Sequence, residues 1–204
     1  MNHAIKNYIF DLGNVLVRFD PMHMTAACVP DPKLCRIIAP VVFDRLYWDA
    51  LDYGGITDEE LKKACHSRLP AELHAVADLI YDRWFENLPL IPGMQEILKA
   101  VKENGGKLYL LSNVSAGFAE QYHRVPRLTE LFGLFDGLVF SGPLKVIKPQ
   151  PEIFRHLLDQ YGLDPDQCVF IDDNAANIAG AKALGIHAYH FDGNVQKLRA
   201  YLQL

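Results

Sequence analysis

No stretch of about 18 consecutive apolar residues occurs in this 204-residue chain, so nothing in it reads as a membrane-spanning helix. Its opening residues, MNHAIKNYIFDLGN, reach Asp11 before an apolar core of signal-peptide length can form. Cysteine is scarce: Cys28, Cys35, Cys65 and Cys168 form no C-x-x-C pair, which excludes a disulfide framework or a zinc knuckle. They read as reduced thiols that pack inside a cytoplasmic protein. A basic excess is also lacking. Twenty Lys and Arg against 25 Asp and Glu leave a net charge of -5, without the positive field expected of a nucleic-acid binder. Neither G-x-x-x-x-G-K-[ST] nor G-x-G-x-x-G is present, which excludes the P-loop and the dinucleotide fingerprint. The eight histidines show no metal-ligand spacing, and no repeat or low-complexity tract is visible. What is present is ordinary globular composition, with 50% hydrophobic residues. The length suffices for one domain, or for one domain carrying a smaller insert.

Short apolar runs recur at Tyr8-Ile9-Phe10, Leu108 to Leu111, Leu138-Val139-Phe140, Val169-Phe170-Ile171 and Ala188 to Phe191. Runs this compact, rich in β-branched and aromatic residues, suit strands buried on both faces of a parallel sheet. Helical patterns lie between the later runs, over 94–104, 151–161 and 175–184, each closed by glycine. Alternating strand and helix predicts a doubly wound, Rossmann-like α/β fold. Residues 18–90 differ. They read as helices over 33–39, 41–51, 58–68 and 71–86, with Thr57 and Glu60 forming a capping box. Some seventy helical residues exceed a simple crossover, which needs about a dozen. The expected organisation is therefore an α/β core of residues 1–17 and 91–204 with a small helical cap of residues 18–90.

Polar residues follow the apolar runs: Asp11 the first, Ser112-Asn113 the second, Asp172-Asp173 the fourth, while Ser141-Gly142 and then Lys148-Pro149 follow the third. In a parallel sheet these strand ends converge on one crevice, where open α/β sheets bind ligands. Asp11, Asp172 and Asp173 with Lys148 carry a net charge of -2, and like charges this close recruit a cation. Oxygen ligands at this density suit Mg²⁺ together with a substrate phosphate. Lys148 and the Ser112 hydroxyl would then hold phosphoryl oxygens, and one carboxylate could attack phosphorus. The residues alone thus point to Mg²⁺-dependent phosphoryl transfer.

The segments Asp11-Leu12-Gly13-Asn14-Val15, Leu111-Ser112-Asn113, Lys148 to Phe154 and Phe170 to Asn177 resemble, in order and spacing, the four motifs of the haloacid dehalogenase superfamily. The likeness covers essentially the whole chain. Within the superfamily it is most similar to capped sugar-phosphate phosphatases of the α-D-glucose-1-phosphate phosphatase type, and also to the N-terminal phosphatase domain of soluble epoxide hydrolase. The resemblance implies Asp11 as nucleophile and metal ligand, Ser112 as donor to the phosphoryl oxygens, and Lys148 as the neutralising cation. It implies Asp173 as a direct Mg²⁺ ligand, Asp172 holding the metal's water shell, and Asn113 and Asn177 as supporting contacts, with Asn113 among the substrate-binding residues.

One departure stands out. The family usually carries an aspartate two residues after the nucleophile as general acid and base; here that residue is Gly13. Its carbonyl can still ligate Mg²⁺, but it can move no proton, and such catalysis is worth roughly 10²–10⁴-fold. Either the leaving group needs little protonation, or an acid such as Asp20, Asp44 or Asp49 substitutes, or turnover is slow. The expected activity is hydrolysis of a small phosphorylated metabolite, a sugar phosphate, with Arg45 and Trp48, and also Tyr53, as candidate substrate contacts. The alternatives are a silent phospho-ligand-binding regulator and a metal-independent dehalogenase-like hydrolase. No nucleic-acid or membrane partner is expected, and oligomeric state has no sequence signal.

Overall fold

The computed structural model describes residues 5–204. Five strands, β1 (Asn7–Phe10), β2 (Lys107–Ser112), β3 (Gly137–Phe140), β4 (Cys168–Asp172) and β5 (His187–His190), form one sheet in the order β3-β2-β1-β4-β5, with every pairing parallel. The side-chain period of two divides each strand between two cores. Phe10, Leu108, Leu110, Val169 and Ile171 enter one apolar cluster. Ile9, Tyr109, Leu111, Val139 and Phe170 enter the other. Both faces are thus covered, as the short unbroken apolar runs require.

The connection from β1 to β2 contains α1 (Pro21–Ala26), α2 (Pro32–Val42), α3 (Arg45–Asp52), α4 (Asp58–His66), α5 (His74–Arg83) and α6 (Met94–Glu103). The expected boundary at Pro40 is not where the chain turns. α2 runs through Pro40 to Val42, and the break falls at Phe43-Asp44, where the Asp44 carboxylate accepts from Leu46 N and caps α3. Proline forfeits one helical hydrogen bond, whereas a side-chain cap defines a new start. The capping box forms as read: Glu60 N donates to Thr57 Oγ1 at 3.2 Å and Thr57 N to Glu60 Oε2 at 2.8 Å. The helix expected over 71–86 is α5 flanked by single 3₁₀ turns at Ala71–Leu73 and Trp84–Asn87. α1 was not anticipated; Asp20 caps it by accepting from Met22 N and His23 N.

Beyond β2 come α7 (Ala116–Gln121), α8 (Pro126–Phe132), α9 (Ser141–Leu144), α10 (Pro151–Tyr161), α11 (Ala175–Lys182) and α12 (Val195–Leu202). The helices of residues 21–87 share the first apolar cluster with one face of the sheet. Phe19, Phe43, Trp48 and Trp84 form an aromatic knot within it that continues through Trp84 to Phe118 of α7, ring centroids 5.3 Å apart. Where the chain leaves β1 and later returns toward α6, its two passes are joined: Arg18 N donates to Pro89 O at 2.8 Å and Ile91 N to Leu16 O at 2.9 Å. The four cysteines are unpaired, and burial pushes the Cys65 and Cys168 thiols up to about 11, as expected of packing residues. Among the described residues no helix is long and apolar enough to cross a membrane.

Candidate active site

β1 and β4 are neighbours, so the residues at their carboxyl ends meet. Asp11 follows β1 and Asp172 closes β4. Lys148 arrives from the connection between β3 and β4 and places its ammonium between them, Nζ 2.7 Å from Asp11 Oδ1 and 2.8 Å from Asp172 Oδ2. All three are buried. Burial alone would lower the lysine pKa, but Asp11 and Asp172 more than offset it and hold it above the ordinary value. Lys148 therefore stays charged.

Asp172 is the hub of this set. Its Oδ1 accepts from Asn174 N at 2.8 Å, and both its oxygens lie 3.1 Å from Asn177 Nδ2. With Lys148 included, donors occupy both sides of the carboxylate. Asn113 fixes the other partner: its Oδ1 accepts from Lys148 N at 2.9 Å and its Nδ2 donates to Lys148 O at 3.0 Å. That double contact ties the end of β2 to the lysine backbone. Asn113 thus stands as a positioning residue for Lys148 in a side chain that also lines the cavity.

Asp11, Asp172 and Asp173 each offer a carboxylate oxygen within 4.8 Å of the others. Desolvation by burial comes first, and Asp172 adds to it, in pushing Asp11 up to about 7 despite Lys148. Asp173 is half-buried and raised for the same two reasons. Three carboxylates against one ammonium leave this cluster short of positive charge. Hard oxygen donors so arranged fit Mg²⁺, with Asp11, Asp173 and the Gly13 carbonyl available as ligands and Asp172 committed behind them to its donors.

A cavity of about 380 Å³ opens over this cluster. Ser112, buried at the end of β2, lines its floor with Asn113, and its upper wall is Phe19, Arg45, Trp48, Asp49, Asp52 and Trp84. The structure therefore brings together every expected residue of the floor and two of the three expected contacts above it. Trp48 is buried against Phe19, Phe43 and Trp84, so packing accounts for most of its surface. Arg45 has a side chain 77% exposed and paired with Asp49 at 3.0 Å. Tyr53, exposed at the end of α3, does not line the cavity. Two of the three acids offered as substitutes for a side chain at position 13 are helix caps instead: Asp20 caps α1, and Asp44 caps α3 while binding Arg68 at 2.6 Å. Asp49 does line the cavity. So does Asp52, which sequence reasoning passed over because nothing in a helical run marks which turn will face a crevice.

Comparison with known proteins places the chain in one family. The sequence pattern that defines haloacid dehalogenase-like hydrolases matches residues 5–185. The chain is 22% identical to the sesquiterpene phosphatase AstK of Aspergillus oryzae, over 98% of its own length and 97% of that protein. It is 30% identical to hexitol phosphatase B of Escherichia coli K12, over 67% of its length and 72% of that protein. In fold it is similar to the HAD family enzyme BT-2542 of Bacteroides thetaiotaomicron, solved as a complex with magnesium and inorganic phosphate. The TM-score is 0.68 at 22% identity, covering 94% of this chain and 96% of that one.

Proposed function

This chain belongs to the haloacid dehalogenase-like hydrolase family, and from that premise we propose that it is a Mg²⁺-dependent phosphatase of a small phosphorylated metabolite, working through Asp11. One observation carries the reading: Lys148 sits buried between Asp11 and Asp172, with the Asp173 carboxylate within 4.8 Å of both acids. Without a bound cation, the three carboxylates leave negative charge at this buried site that Lys148 alone does not offset.

In this reading an Asp11 carboxylate oxygen attacks phosphorus and carries the phosphoryl group until water removes it. Lys148 and Ser112 hold phosphoryl oxygens where charge builds. Asn113 keeps Lys148 at the right height, and Asn177 does the same for Asp172. Mg²⁺, held by Asp11, Asp173 and the Gly13 carbonyl, supplies positive charge against the phosphate when bound. The helices of residues 18–90 serve as a cap over the core of residues 1–17 and 91–204. Arg45 and the edge of Trp48 face the remainder of the substrate, where the polar groups of Arg45, Asp49 and Asp52 beside an aromatic surface favour a sugar phosphate.

Release of phosphate from p-nitrophenyl phosphate, with and without EDTA, tests the reading. Activity should require Mg²⁺, and Asp11→Asn should fall to the uncatalysed level with its melting temperature retained. Turnover that survives chelation would favour dehalogenase-like chemistry, and a folded, metal-binding but inert protein would favour the silent regulator. Relative kcat/KM on hexitol phosphates, glyceraldehyde 3-phosphate and farnesyl phosphate then tests the substrate class. A preference for farnesyl phosphate would overturn the sugar-phosphate reading.

A further inference from the structure

Breaking the P–O bond of an alkyl phosphate leaves an alkoxide, which departs far more easily if an acid protonates it in the transition state. Resting on the phosphatase reading above, we propose that Asp52, at the C-terminal end of α3, is the proton donor to the leaving oxygen and afterwards the base for the attacking water. The argument begins with what lines the cavity. No histidine, cysteine or tyrosine does so among the described residues, and position 13 has no side chain. The acids are Asp11, Asp173, Asp49 and Asp52, with Asp172 beneath. Asp11 and Asp173 belong to the nucleophile and cation cluster, and Asp172 is saturated by Lys148, Asn174 and Asn177. Asp49 is paired with Arg45 at 3.0 Å. The Asp52 carboxyl lies outside that cluster and forms no ion pair among the described residues.

Its protonation state and its placement suit the task. Desolvation first, then the charge of Asp49, hold the Asp52 carboxyl well above the usual carboxylate range, against the opposing pull of Arg45. Asp11 and Lys148 are close enough to act on it as well, in opposite senses. Its backbone is docked directly on the phosphate-facing loop. Ser141 Oγ donates to Asp52 O at 2.6 Å, and Ser141 Oγ in turn accepts from Val114 N at 2.9 Å, two residues after Ser112. Gly54 packs so closely that a Cβ there would lie 2.5 Å from Gly142 O. The acid is thereby held relative to the floor by a contact two hydrogen bonds long.

The step balances as follows. As Asp11 forms its bond to phosphorus, the bond to the leaving oxygen breaks; that oxygen keeps the electron pair and takes the Asp52 proton, departing as an alcohol. Asp52, now ionised, takes a proton from water as the water oxygen attacks phosphorus. The bond to Asp11 breaks, its electrons return to the carboxylate, and phosphate leaves with Asp52 protonated again.

The experiment compares wild type, Asp52→Asn and the double variant Gly13→Asp/Asp52→Asn on p-nitrophenyl phosphate, whose leaving group needs little protonation, and on phenyl phosphate, whose leaving group needs more. In Asp52→Asn, kcat/KM on phenyl phosphate should fall at least about tenfold further than on p-nitrophenyl phosphate, within the roughly 10²–10⁴-fold worth of a general acid. Rate across a series of aryl phosphates should depend more steeply on leaving-group pKa. A Cβ at position 13 would meet nothing nearer than Phe19 Cβ at 4.0 Å, so the backbone there admits a side chain, and the added aspartate should restore phenyl phosphate turnover. Equal losses on both substrates, or none on either, would overturn the assignment of Asp52 while leaving the phosphatase reading intact. Hydrolysis that persists in Asp11→Asn would instead overturn that reading, and this inference with it.

Discussion

Lys148 is the one ammonium shared by two buried carboxylates, which makes it the residue whose loss should be felt most. Lys148→Met leaves Asp11 and Asp172 without a cation, and breaking a buried pair by removing one partner costs about 3–5 kcal/mol. Urea unfolding of the metal-free variant at pH 8 should show a loss of that size, smaller at pH 5 where Asp11 can protonate. A loss unchanged by pH would mean that packing, not charge, is what Lys148 supplies. The wild type has its own pH signature. Asp11 is raised from 3.8 to about 7 by burial and by Asp172, so the folded state holds a proton that the unfolded state releases across that window. Stability of the metal-free protein should fall as pH rises from about 4 through 7, and Asp52 and Asp173 are shifted in the same direction. Melting temperature without metal should be lower at pH 8 than at 5.5, and added Mg²⁺ should raise it more at pH 8. A flat or rising profile would contradict this account of the acids. These floor residues were readable in the sequence because each closes or follows a short apolar run. Asp52 was not, since its side chain acquires meaning only from the docking of α3.

Among the elements, α9 does most to join the two parts of the site, although it spans only Ser141–Leu144. Ser141→Ala removes a hydroxyl that bonds both Asp52 O and Val114 N, and should cost about 1–3 kcal/mol through the unsatisfied groups left behind. Its kcat should fall with that of Asp52→Asn on poor leaving groups. An unaltered leaving-group dependence would show that Asp52 keeps its place without this anchor. Gly142 is equally constrained, since a Cβ there would lie 2.4 Å from Ala116 N. The sequence could not announce α9. Ser-Gly-Pro-Leu reads as a turn, and one helical turn has no periodicity to detect. α7, α8 and α1 escaped for the same reason, being six or seven residues long. The longer helices α2, α6 and α10 declared themselves through apolar stripes, although the end of α2 depended on capping by Asp44 rather than on Pro40.

At the scale of the molecule, the aromatic knot makes one body of the inserted helices and the sheet. Trp84 touches Phe19, Trp48, Phe85 and Phe118, which lie on both sides of that junction. Trp84→Ala should cost about 3–5 kcal/mol by emptying this contact. It should also lower turnover, because Trp84 lines the cavity. Full activity in a destabilised variant would separate the two roles. The parallel sheet and the run of helices between β1 and β2 were legible from run length and alternation. The aromatic junction was not, because helical spacing gives the face of each residue and not its partner across the fold. The strand order carries a last consequence, for folding on the ribosome. β1 occupies the centre of the sheet, yet its neighbours are β2, which begins at Lys107, and β4, which begins at Cys168. A nascent chain therefore presents a bare, apolar middle strand for most of its synthesis, and such distant parallel pairings form slowly. The strand made earliest of the five must wait for the ones that will shelter it, and in that interval chaperones have their longest opportunity to bind.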